Sequence, residues 1–312
     1  MEELSFDDRL VRRASALRLA SGTLTDSFRS GAFKSMQKGQ GIEFHGVREY
    51  LMGDDVRSID WNVTARMGRP YVKQFNEDRE LVLFVIVDAS LSMETGQGKR
   101  SRLYTACEAA ALTAFAASNG GGPVGGVIFA GDILFSREPK PGRDQVMLFM
   151  SLFDGVLQGN KKKGTGQFVD EMLKKRGVVG SCLDKALKGA ASLLKKRSLI
   201  LIFSDFRTTD YEKSLALLSS RHDVVAVRIS DSGDEKLAAL GTVPFMDPES
   251  GSVESLPTSS AGFQQAWKTA NANRVERWQN LCYRRGAKTL MLSTDEDPLI
   301  GLQRFFSVRD RR

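Results

Sequence analysis

The stretch Leu81–Met93 reads LVLFVIVDASLSM. Its first seven residues are all apolar and several are β-branched. That is the signature of a strand buried on both faces of a mainly parallel sheet, and the run is too short to cross a bilayer. The run stops at Asp88, so a carboxylate falls at the carboxyl end of the strand, the edge where open α/β sheets bind ligands. Beyond it, alternate side chains can converge while Ala89 and Leu91 face away. Asp88 then offers a negative charge and Ser90 and Ser92 offer neutral oxygens. A small hard cation, magnesium or another divalent ion, takes such a set. Each residue could instead merely cap or turn the chain, because a short D-S-S set also arises by chance.

Outward from this strand, the chain alternates helix and strand. Ser101–Ser118 carries Leu103, Cys107, Ala110, Ala114 and Phe115 at helical spacing. Val124–Ala130 reads as a strand, Ile133–Phe135 as a short returning strand, and Arg143–Leu157 as an apolar-faced helix. After a loop and a short helical piece at Phe168–Lys175, the rhythm resumes. A helix is expected at Leu183–Leu194, a strand at Ser198–Phe203, a helix at Tyr211–Ser219 and a strand at Asp223–Ile229. This order favours a doubly wound, mainly parallel α/β sheet. Asp247–Ser260 is a polar break. Ala261–Arg285 then reads as a long helix, Ala287–Leu292 as a strand and Leu299–Phe305 as a terminal helical turn, which together complete or decorate the sheet.

A second strand ends in Ile202-Phe203-Ser204-Asp205. In a parallel sheet its carboxyl edge can lie beside that of the first, which brings Asp205 near Asp88. Ser181 opens the following helix, where its hydroxyl either caps the helix or joins a metal shell.

The remaining composition mostly excludes. With 312 residues, 41% of them hydrophobic, the chain can bury a sizeable core. A net charge of +7 is spread among 38 acidic residues and selects no partner class. Lys161–Lys163, Lys174–Arg176 and Lys195–Arg197 read as solvated loop or helix-end charge, without a groove-reading or stacking element for nucleic acid. Cys107, Cys182 and Cys282 have no paired spacing, as expected of free thiols in a cytoplasmic protein. No secretory signal or membrane span is expected.

Gly96–Ser101 lacks the spacing of a phosphate-binding loop, since Met93 stands where the first glycine is needed. His45 and His222 belong to no zinc-binding pattern. A magnesium-dependent phosphatase or other hydrolase using Asp88 is the enzyme alternative, but the second residue after Asp88 is Ser90, which cannot exchange protons with a leaving group. These features favour binding over catalysis, with no catalytic residue assigned.

Before Leu81, Leu10–Gln37 reads as a basic helical region, and Gly41–Phe75 as short strand-like pieces with turns at Gly53-Asp54 and Gly68–Pro70. Residues 1–80 are thus expected to form a helical and strand-rich extension, and residues 81–312 the α/β domain with a C-terminal elaboration. Within the extension, Arg48-Glu49-Tyr50, Gly53-Asp54-Asp55, Ile59-Asp60-Trp61 and Thr64-Ala65-Arg66 resemble the bacterial family called domain of unknown function 58. The resemblance implies a von Willebrand factor A-like fold with a small β-rich element before it. It also implies a metal-ion-dependent adhesion site with ligands at Asp88, Ser90 and Ser92, the later threonine position at Ser181 and the later aspartate at Asp205. Members are commonly encoded beside MoxR-type AAA+ ATPases, so the implied partner is such an ATPase or a substrate that it remodels.

Overall fold

The computed structural model describes residues 43–76, 81–97, 100–158, 182–246 and 252–307. They fall in two compact units, divided at Leu81. The expected helical pieces at Leu10–Gln37 and Phe168–Lys175, and Ser181, lie outside the described residues.

In the smaller unit, β1 (Glu43–Glu49) pairs antiparallel with β2 (Tyr71–Asn76), and the helix α1 (Trp61–Met67) lies between them in the chain. The expectation here was strand and turn; the helix is an addition. Its stop signals are local. Asp60 Oδ1 accepts from the backbone N–H of Asn62 at 3.0 Å and of Val63 at 3.2 Å, satisfying first-turn donors. Gly68, at φ 70°, closes the other end in the left-handed conformation that glycine adopts without strain. The charged signature ties turns as well: both guanidinium Nη atoms of Arg48 donate to Asp54 at 2.6 Å, and Asp55 accepts from the Arg57 N–H.

The larger unit runs β3 (Leu83–Asp88), α2 (Arg102–Asn119), β4 (Val124–Phe129), β5 (Ile133–Lys140), α3 (Arg143–Gln158) and α4 (Leu183–Leu193). It continues through β6 (Leu199–Ser204), α5 (Glu212–Arg221), β7 (Asp223–Ser230), the single turn α6 (Ser232–Glu235), β8 (Thr242–Met246) and β9 (Val253–Pro257). It ends with α7 (Ala261–Arg284), β10 (Lys288–Ser293) and α8 (Pro298–Ser307).

A central six-stranded sheet has the order β10-β7-β6-β3-β4-β5. Every neighbouring pair in it is parallel except β4 with β5. The final strand thus completes the sheet. The expected polar break differs: β8 and β9 pair across it as an antiparallel hairpin, which a stretch of serines, glycine and proline with few apolar positions does not announce.

Period-two alternation sorts each strand between two faces. Phe84, Ile86, Ile200, Ile202, Val224 and Ala226 pack with Leu187, Leu215, Leu218 and Trp278 on one of them, while α2 contacts the central strands together with α3 and α8. Burial of each large apolar side chain contributes roughly 1.5–3 kcal/mol. The sheet is tight where β4 crosses β3: a Cβ on Gly126 would stand 2.5 Å from the Val85 carbonyl oxygen. From β3 the chain leaves to β4 on one side, and later returns as β6 on the other. The carboxyl ends of β3 and β6 therefore form the crevice of a topological switch point.

Candidate metal centre

Asp88 ends β3 and Asp205 directly follows β6, so adjacent parallel strands deliver two carboxylates to one edge. Both are buried, with 1% and 3% of their surface exposed, and so are Ser90 and Ser92. Asp88 Oδ1 accepts from the Ser90 N–H at 2.9 Å, and Asp88 Oδ2 accepts from the Ser204 hydroxyl at 2.7 Å. The Ser90 and Ser92 hydroxyls lie 3.1 Å apart. Ser90 precedes the 3-10 turn Leu91–Glu94 without capping it through its side chain, so its hydroxyl is not consumed by the simplest structural role open to it.

Phe206 holds φ 51°, a left-handed conformation that costs a bulky residue energy. Its ring packs on Trp278 at 5.3 Å and Tyr211 at 5.9 Å, and its N–H donates to Ser204 Oγ at 3.0 Å. These contacts hold the bend that follows Asp205.

Burial, and next repulsion from Asp205, push the Asp88 carboxyl up to about 6, against hydrogen bonds from Ser90 and Ser204 that favour its charged form. Two buried acids at one edge thus resist sharing a full pair of negative charges. Among the described residues Asp205 Oδ2 has no hydrogen-bond partner, although it is buried, and Arg207 Nε stands 3.5 Å from it as an ion-pair partner. An unsatisfied carboxylate oxygen, a second carboxylate and two hydroxyls fit a small hard dication, which would relieve the repulsion. Among the described residues no three His, Cys, Asp or Glu side chains gather as a metal site, so any cation here relies on hydroxyls or water for the rest of its shell.

Sequence reasoning missed the charged frame around this edge. Asp234 Oδ1 accepts from Arg102 Nη2 at 2.7 Å and from Arg207 Nη2 at 2.5 Å. Arg102 Nη1 donates to the Thr95 hydroxyl at 2.6 Å and also reaches the Thr95 and Ser92 carbonyls. Asp231 accepts from the Gln97 and Gly233 N–H groups and the Thr294 hydroxyl. The loop carrying Ser92 and the loop carrying Asp205 are therefore both anchored on the turn after β7. No local spacing links residues more than a hundred positions apart. Only the isolated acids after an apolar strand, Asp231 and Asp234, hint at it.

Asp88, Ser90, Ser92 and Asp205 thus stand at neighbouring positions of the edge. Cys182, without a side-chain capping bond, occupies the position before α4, next to Ser181. All three cysteines are free.

Residues 46–277 match the family described as Protein of unknown function DUF58. The chain belongs to this family. The DUF58 match takes in all five expected ligand positions and most of the smaller unit. An uncharacterized protein of Mycobacterium tuberculosis (strain ATCC 25618 / H37Rv) is 29% identical over 308 residues, covering 98% of this chain and 91% of its own length. One of Mycobacterium bovis matches to the same extent. An uncharacterized protein of Mycobacterium avium is 30% identical over 120 residues, 38% of this chain and 69% of its own.

Proposed function

We propose that this DUF58 chain is a metal-dependent protein-binding or adaptor module of von Willebrand factor A-like fold. In this reading Asp88, Ser90, Ser92 and Asp205, with Ser181 at the later hydroxyl position, hold magnesium or another divalent cation. The observation that carries it is the buried Asp205 Oδ2, which lacks a hydrogen bond at an edge shared with Asp88 and two hydroxyls. When bound, the cation supplies a positive centre with an open coordination position for an Asp or Glu of the partner. The chain's own residues do the rest. Ser204 and the Ser90 N–H fix the Asp88 carboxylate, the Arg102–Asp234–Arg207 frame fixes the two loops, and burial excludes competing water.

The family resemblance supports a MoxR-type AAA+ ATPase, or a substrate it remodels, as the partner. Docking is favoured over turnover because the residues around Asp88 offer hydroxyls and ion-paired groups rather than a general acid or base placed to act on a leaving group.

Affinity capture from source cells in magnesium, repeated with chelator and with Asp88→Ala, tests the reading. Expected is a partner captured in magnesium alone and lost in both other conditions. Equal capture in all three would overturn metal-completed docking, and phosphate release from a phosphomonoester by the isolated protein, abolished by D88A, would replace it with the hydrolase.

A further inference from the structure

Arg207 reaches both oxygens of the Asp205 carboxylate. Its backbone N–H donates to Oδ1 at 3.1 Å, and its side-chain Nε stands 3.5 Å from Oδ2. At that separation the guanidinium attracts Oδ2 without a good hydrogen bond, and Oδ2 is buried with no hydrogen-bond partner among the described residues. The carboxylate oxygen with coordination capacity to spare is therefore one that a monovalent cation of the same chain already faces.

This guanidinium is held in place. Its Nη2 donates to Asp234 Oδ1 at 2.5 Å, and Asp234, with a side chain 5% exposed, is fixed in turn by Arg102 Nη2 at 2.7 Å. A magnesium ion sits about 2.0–2.1 Å from a ligand oxygen, well inside the distance that Nε keeps. An ion on Oδ2 would thus lie within about 6 Å of Nε, and the two positive charges would repel across an edge that burial shields from water. The Arg207 side chain is 36% exposed, so solvent on its outer side keeps the effect moderate.

The bend that carries Asp205 has supports other than the Arg207 side chain. Phe206 packs on Trp278 and Tyr211, its N–H donates to Ser204 Oγ, and the Arg207 N–H holds Asp205 Oδ1. A substitution that removes the guanidinium keeps all of these contacts. Loss of the charge and loss of the bend are therefore separable.

We propose that Arg207 is an internal competitor of the divalent ion: its guanidinium neutralises Asp205 in the metal-free protein and sets how much magnesium is needed to load the edge. This rests on the metal reading of Asp88 and Asp205 and adds to it a residue that holds the affinity down. A residue that only braced the loop would have the opposite effect, since its removal would weaken the site.

Metal-stripped full-length wild type, Arg207→Gln and Arg207→Lys are titrated calorimetrically with magnesium and with manganese at constant ionic strength, and thermal unfolding is followed with and without the ion. R207Q should bind at least about tenfold more tightly than wild type, and saturating magnesium should raise its melting temperature by more. R207K, which restores the positive charge, should return the affinity toward wild type. In wild type, the Arg207 Nε–H resonance, identified by its loss in R207K, should shift on magnesium addition with the midpoint of the calorimetric curve, and it decides the matter if R207Q does not fold. Binding by wild type that R207Q leaves equal or weaker, or a resonance unmoved by saturating magnesium, would overturn this proposal alone. No binding by either protein would overturn the metal reading and this proposal with it.

Discussion

The Ser204 hydroxyl, at the end of β6, donates to Asp88 Oδ2, at the end of β3, over 2.7 Å. This bond ties two strand ends 116 residues apart and fixes one oxygen of the carboxylate on which the proposed metal centre depends. Ser204→Ala should leave the sheet intact but free that oxygen. Loss of such a supporting bond costs roughly 10–100-fold in metal affinity, measurable by manganese titration. Unchanged affinity would show that Ser204 only serves the Phe206 backbone.

The pH dependence of stability should carry the mark of Asp88. Burial, then repulsion from Asp205, raise its carboxyl from 3.8 to about 6. An acid with a folded pKa above its unfolded one binds its proton more tightly when folded. The metal-free protein therefore gains stability as pH falls through 6, and the gain levels off below 3.8. The full effect is about 3 kcal/mol or less. Asp231, also buried but held below the ordinary range by N–H groups of Gln97 and Gly233, by Thr294 and by Arg102, acts oppositely and only at lower pH. Urea midpoints at about pH 7.5 and about pH 5 should differ more for wild type than for Asp88→Asn. Parallel profiles would contradict this assignment.

Asp234 is the hub of a buried ion-pair frame, its side chain and that of Arg102 each 5% exposed. Asp234→Ala leaves the Arg102 charge buried without its carboxylate, which destabilises by about 3–5 kcal/mol. Chemical denaturation should show the loss, and a change below about 1 kcal/mol would mean that solvent reaches Arg102.

Close approach of β3 and β4 makes Gly126 a sharp test of the sheet register. A Cβ there meets the Val85 carbonyl at 2.5 Å and the Phe149 ring at 3.1 Å. Gly126→Ala should lower stability by roughly 1–3 kcal/mol through forced strand displacement. Wild-type stability for G126A would require a different pairing from the one described.

The central sheet was legible because its strands declare themselves. LVLFVIV, SLILIF and DVVAVRI are apolar runs of strand length, and the helices between them have apolar faces at helical spacing. Asp88 and Asp205 were legible for the same reason, each closing such a run. Ser204 was not, because a serine before an aspartate at a strand end looks like a turn. The Arg102–Asp234 pair was not, because contacts across 132 positions leave no local spacing. Arg228 stands inside an apolar strand, but nothing in the local sequence shows that its Nε and Nη1 are buried without hydrogen bonds among the described residues. The short helix Trp61–Met67 hid among turn residues, although Asp60 and Gly68 mark its two ends.

Whether Asp88 holds a divalent ion is decided by calorimetric titration of metal-stripped protein with magnesium or manganese, with wild type and Asp88→Ala compared and folding checked by circular dichroism. The account predicts saturable binding of one ion per chain by wild type and at least a hundredfold weaker binding by D88A, about 3 kcal/mol of lost affinity. Equal binding by a folded D88A protein, or no binding by wild type, would contradict it.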